Sequence, residues 1–134
     1  MKVLAFVDMH ASKDALRKIK STARKEKVDY IICAGDLTIF GDSYDRLVQE
    51  LDEIGITVLM VHGNHEGEND TRKLCEKSKN VMFIHKKVVD TGDVVIVGWG
   101  GGGFSAKDGE FERWVKTELP NIKKGKKILL VTHA

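Results

Sequence analysis

Only two cysteines, Cys33 and Cys75, occur in the 134 residues, and they form neither a C-x-x-C pair nor a zinc-ribbon spacing. A cysteine-based zinc site therefore has no support, and nothing points to an oxidising compartment. Cys33 lies in an apolar run and reads as a small buried residue. A dominant charge is missing too. The net charge of +2 is far from the basic face of a nucleic-acid domain. The lysines between positions 123 and 127 read as solvated surface. No apolar run approaches the ~20 residues of a membrane span. The opening stretch "MKVLAFVDMH" is too short for a signal-peptide core, so the expected location is cytoplasmic. Internal repeats, low-complexity segments and linkers are absent, and the length fits one domain, residues 1–134.

What is present is a series of short apolar runs. Val3 to Val7, Tyr30 to Ala34 and Ile56 to Val61 predict buried strands. Between them, Ser12 caps a predicted helix running to about Lys25. Asp42 and Ser43 can cap a second, which Gly55 ends. A short third helix is predicted over Asp70 to Lys77. Strand–helix alternation with apolar strands predicts a parallel sheet covered on both sides. Beyond residue 80 the pattern changes to short β-type pieces: Val81 to Ile84, Val88 to Val89 and Val94 to Val97. Asp90-Thr91-Gly92-Asp93 marks a hairpin turn, and antiparallel pairing is expected in this half. A glycine-rich loop (Gly98 to Gly103), a helix stopping at Pro120 and a last strand from Ile128 to Val131 complete the chain.

Four of these strands end in polar side chains able to hold metal. Asp8 and His10 follow the first, Asp36 the second, Asn64, His65 and Glu66 the third, and His133 the last. In α/β sheets the carboxyl ends of the strands share one edge, so residues distant in sequence can converge there. Carboxylate, imidazole and amide oxygen together suit Mn²⁺, Fe²⁺, Zn²⁺ or Ni²⁺. Asp36 has two oxygens and can bridge two ions, which together can clamp a phosphoryl group and activate a water. Each motif alone is common. A strand-end Asp usually caps a helix, and a lone histidine such as His62 or His85 reads as structural.

Taken in order, "DMH" (8–10), "GDL" (35–37), "GNHE" (63–66) and "VTHA" (131–134) resemble the calcineurin-like metallophosphoesterase superfamily across the whole chain. The resemblance implies an α/β fold of two stacked mixed β-sheets flanked by helices. It implies Asp8 and His10 on a first metal, Asp36 bridging, and Asn64 and His133 on a second. Manganese is the first choice for both ions, with iron, zinc, nickel or magnesium as alternatives. It further implies that a hydroxide held by the two ions attacks a small phosphomonoester or phosphodiester while His65 protonates the leaving oxygen. General-acid help of this kind is worth ~10²–10⁴ in rate.

Two departures stand out. The family's closing G-H-x-H does not occur up to Ala134, which sets the expectation that the domain continues further. Many relatives also carry an Asp three residues after the bridging one, where this chain has Ile39. Orientation of His65 then falls to Glu66 or Asp42. The phosphate-binding arginine of protein phosphatases is missing from "GDLTIFGD", which turns the expectation from phosphoproteins to small esters. A non-catalytic scaffold on the same fold is the alternative. The glycine run formally contains G-x-G-x-x-G, but Phe104 to Lys107 separate it from the next helix, so it reads as a loop near the site. Trp99 and Phe104 read as core residues or, second, as cleft lining.

Overall fold

The structure, a computed structural model, describes residues 1–103 and 105–133. Phe104 lies outside that range. Strands β1 (Val3–Phe6), β2 (Tyr30–Cys33), β3 (Val58–Met60) and β4 (Val81–Phe83) form one parallel sheet in the order β1-β2-β3-β4. Strands β5 (Lys87–Asp90), β6 (Val94–Trp99) and β7 (Lys127–Thr132) form a second, mixed sheet. Helices α1 (Lys13–Glu26), α2 (Tyr44–Asp52) and α3 (Glu68–Glu76) connect the strands of the first sheet, and α4 (Gly109–Glu118) connects β6 to β7.

The two-sheet α/β architecture is the one expected, with the first sheet parallel throughout and the second mixed. Sequential strand order with right-handed crossovers puts α1, α2 and α3 on one face. Leu16, Ile19 and Ala23 of α1 and Leu47, Val48 and Leu51 of α2 pack there against Ile31, Cys33, Val58 and Met60. The alternate residues Ile32, Leu59 and Val61 turn the other way, and meet Ile96 and Val131 of the second sheet. This alternation explains why β2 and β3 read as unbroken apolar runs: both faces are covered.

Three local expectations need correction. Antiparallel pairing holds for the β5–β6 hairpin only. β4 pairs parallel with β3, and β7 with β6, because α3 and α4 lie between the partners and a helical crossover returns the chain in the same direction. Ser12 caps α1 as expected, its side chain accepting from the Ala15 N–H at 3.2 Å. Ser43 occupies the corresponding position of α2, but at φ +55° and with no capping bond, so neither Asp42 nor Ser43 supplies that cap. The glycine loop begins at Gly100, since β6 runs on through Gly98 and Trp99. Gly98 is required there: a Cβ would stand 2.2 Å from the Ile84 carbonyl oxygen.

Candidate metal centre

The loops leaving β1, β2 and β3 lie side by side at the carboxyl edge of the parallel sheet. The Asp8 N–H donates to the Gly35 carbonyl at 3.2 Å, and the His10 N–H to the Asp36 carbonyl at 3.1 Å. These bonds extend the β1–β2 pairing beyond the strands and bring "DMH" and "GDL" together. Asp8, His10 and Asp36 all adopt left-handed backbone, with φ of 52°, 47° and 50°. Left-handed residues other than glycine are strained, and such strain gathers at functional sites.

Asp36 is the centre of the group and is only 4% exposed. Its Oδ2 lies 3.9 Å from His10 Nε2 and 3.9 Å from His65 Nε2, and its Oδ1 lies 3.5 Å from His133 Nε2. Two sets of donor atoms result, one from His10, Asp36 and His65 and one from Asp8, Asp36 and His133. Asp36 belongs to both. Asp8 and His10 remain neighbours, with His10 Nε2 and Asp8 Oδ1 3.9 Å apart. His65 stands as close to Asp36 as His10 does. Glycine is needed next to the central carboxylate, because a Cβ on Gly63 would sit 2.0 Å from Asp36 Oδ1.

The chemistry of these donors fits a cation. His133 Nδ1 faces the Ala34 carbonyl at 2.8 Å, and a carbonyl only accepts, so this nitrogen carries the proton. When the ring is uncharged its Nε2 offers a lone pair. Opposite it, 3.0 Å away, is Asn64 Oδ1, another acceptor. An imidazole nitrogen and an amide oxygen at this spacing are a pair of donor atoms that a cation could share. The gap matches two adjacent ligands on an octahedral ion with bonds of about 2.1 Å. The five residues expected to bind metal are thus brought together, along with His65.

Glu66 does something the sequence did not reveal. This buried carboxylate accepts from the Thr38 N–H at 2.8 Å, the Thr38 hydroxyl at 2.9 Å, the Asp36 N–H at 3.1 Å and the Gly63 N–H at 3.0 Å. It clamps the Asp36 loop to the Gly63 loop. Its two oxygens are occupied, so the expectation that Glu66 orients the His65 imidazole is replaced by this clamp. Nor does Asp42 form any hydrogen bond with His65 among the described residues. The ring of His65 lies instead against Phe40. A buried fourth polar residue in a strand-end knot was the available signal for Glu66; nothing in the sequence marked Thr38 or Phe40.

His62 and His85 are buried behind the centre with ring centroids 4.8 Å apart. The Gly100 N–H donates to His85 Nδ1 at 2.8 Å and the Gly101 N–H to the His62 carbonyl at 2.8 Å, so this pair anchors the glycine loop. Trp99 packs among His85, Phe111 and Trp114 as a core residue. Beside it a cleft of about 540 Å³ opens next to His133, lined by Trp99, Gly101, Lys107 and Phe111 among others.

Burial pushes the His85 pKa down to about 4, with His62 adding to the effect, and burial also lowers His62. The unfolded chain therefore binds more protons than the fold between the ordinary histidine pKa of ~6.5 and about 4. The stabilisation from neutral His85 is complete above that window and is lost as pH falls through it. Thermal unfolding followed from pH 7 to pH 4 should show this loss, with a flatter profile for His85→Gln.

The whole chain, residues 1–134, matches the calcineurin-like phosphoesterase family, and it belongs to that family. Members of this family bind divalent metals. No curated protein gives a match. Among solved structures, TT1561 of Thermus thermophilus is similar at a TM-score of 0.77 and 15% identity, covering 96% of this chain and 65% of its own. A protein described as a novel archaeal phosphodiesterase is similar at a TM-score of 0.52 and 16% identity, over 99% of this chain and 84% of its own. Yfce, a phosphoesterase from E. coli, also gives 0.52 and 16%, over 76% of this chain and 69% of its own. At these identities the likeness establishes the fold. The chain spans about two thirds of the length of TT1561. Among the described residues no helix is long and apolar enough to cross a membrane.

Proposed function

We propose that the protein is a metal-dependent phosphoesterase acting on small phosphomonoesters or phosphodiesters. The observation that carries this reading is the shared position of Asp36 in both donor sets. Asp8, His10, Asp36, Asn64 and His133 would hold two divalent ions, manganese first among the candidates. Bound there, such ions supply positive charge against phosphoryl oxygens and acidify water.

The chain's own residues supply the rest. Buried Asp36 fixes the separation of the two donor sets. His133, held by the Ala34 carbonyl, presents Nε2 to the centre. His65 Nε2 faces the same space and gives its proton to the leaving oxygen. The cleft beside His133 has room for a small ester. The proposal includes a cytoplasmic setting.

The test uses the full-length protein with Mn²⁺. Hydrolysis of p-nitrophenyl or bis-p-nitrophenyl phosphate should appear with the metal and vanish with a chelator. His65→Gln should slow an alkyl phosphoester by ~10²–10⁴ in kcat. Calorimetric Mn²⁺ binding should persist in that variant. A protein that binds Mn²⁺ and hydrolyses no phosphoester overturns the reading in favour of a scaffold.

A further inference from the structure

His65 lacks the partner that usually orients a catalytic imidazole. Its Nδ1 is buried and has no hydrogen-bond partner among the described residues. Its Nε2 faces the centre, 3.9 Å from Asp36 Oδ2. The backbone N–H of His65 is fixed on Asp36 Oδ1 at 3.0 Å, yet that bond leaves the ring free to tilt.

The ring is held by other rings. Phe40 lies parallel to it, with centroids 4.3 Å apart and planes 11° apart. His10 meets it edge-on at 4.9 Å and 70°. Phe40 is otherwise anomalous. It is 80% exposed, and it sits at φ +49°, a conformation that costs a bulky side chain strain. An exposed aromatic in strained backbone has no part in the core, so its place needs a local cause.

The segment around Phe40 is built to hold it there. Thr38 donates to Glu66 through both its N–H and its hydroxyl, and the same hydroxyl accepts from the Gly41 N–H at 2.8 Å. The Asp42 N–H closes a turn onto the Ile39 carbonyl at 3.1 Å. Glu66 is the residue after His65. Both members of the ring stack are therefore carried on segments tied to one buried carboxylate.

We propose that Phe40 is a positioning residue that fixes the ring plane of His65, in place of a carboxylate partner. This rests on the reading of His65 as the leaving-group acid. Stacking does for the imidazole what a hydrogen bond to Nδ1 would otherwise do. It leaves Nε2 on the open side, where the leaving oxygen departs.

The test compares leaving groups. An alkyl phosphoester needs protonation as its bond to phosphorus breaks, whereas p-nitrophenolate departs without it. In full-length protein loaded with Mn²⁺, Phe40→Ala should lower kcat on the alkyl ester by roughly 3- to 10-fold, the worth of one aromatic pair. The loss on the p-nitrophenyl ester should be smaller, KM should move little, and Phe40→Tyr should restore the alkyl rate. His65→Gln is the control. If it shows the leaving-group dependence and Phe40→Ala does not, this inference falls and the proposed function stands. If His65→Gln shows none, both fall. A second readout needs no turnover: the ring protons of His65 should shift downfield in the NMR spectrum of Phe40→Leu as the Phe40 ring current is removed. Unmoved resonances overturn the stack itself.

Discussion

Replacing Asp36 by asparagine should abolish turnover while leaving the fold in place. Asp36 is the one side chain common to both donor sets found among the described residues, so on the proposed reading its charge would serve both ions. Electrostatic help from each ion is worth several kcal/mol, and each 1.36 kcal/mol is tenfold in rate, so kcat should fall by about 10⁴-fold or more. Asparagine is the right substitution because it keeps the shape. Its Oδ1 can still accept from the His65 N–H. Calorimetry should show weaker Mn²⁺ binding by more than the 10–100-fold that loss of an outer partner causes. Unchanged Mn²⁺ affinity in this variant would remove the basis for a shared bridging carboxylate.

Glu66→Ala should have the opposite signature, with the damage falling on stability. Four donors on two loops converge on this carboxylate, and removing it strands three backbone N–H groups and a hydroxyl in the interior. Stranded buried donors cost ~1–3 kcal/mol each, and partial relaxation reduces the sum, so a loss of about 3–5 kcal/mol is expected. For a domain of this size that lowers Tm by roughly 10–20 °C. Glu66→Gln should be milder, since its carbonyl oxygen can still serve Thr38 while its amide group opposes the N–H groups of Asp36 and Gly63. Thermal unfolding in the presence of chelator separates this effect from metal binding. A Tm for Glu66→Ala within a few degrees of the parent would show that the clamp is not what holds the loops.

The parts of this molecule that were legible in the sequence are those set by local pattern. Apolar runs ending in polar side chains placed Asp8, Asp36, Asn64 and His133 at strand ends; the parallel sheet brought the first three together, while His133 arrives from β7 of the second sheet and reaches the group through its bond to the Ala34 carbonyl. Ser12 was legible as a cap because its helix begins in ordinary extended backbone. Ser43 was not, because its backbone takes a left-handed turn from which its side chain makes no capping bond. The direction of β7 was also misjudged, although α4 between it and β6 carried the information. Glu66 accepts from Asp36 and Thr38, about 30 residues away in sequence, and Phe40 lies against a ring about 25 residues away, and no spacing rule reaches that far.

The left-handed backbone at positions 8, 10 and 36 bears on how such a protein can be improved. Glycine would relieve the strain at all three and would delete every donor atom there. Screening a library for heat resistance alone would thus reward substitutions that strip the proposed metal centre of its donors, and metal binding must be selected alongside melting temperature if both are wanted.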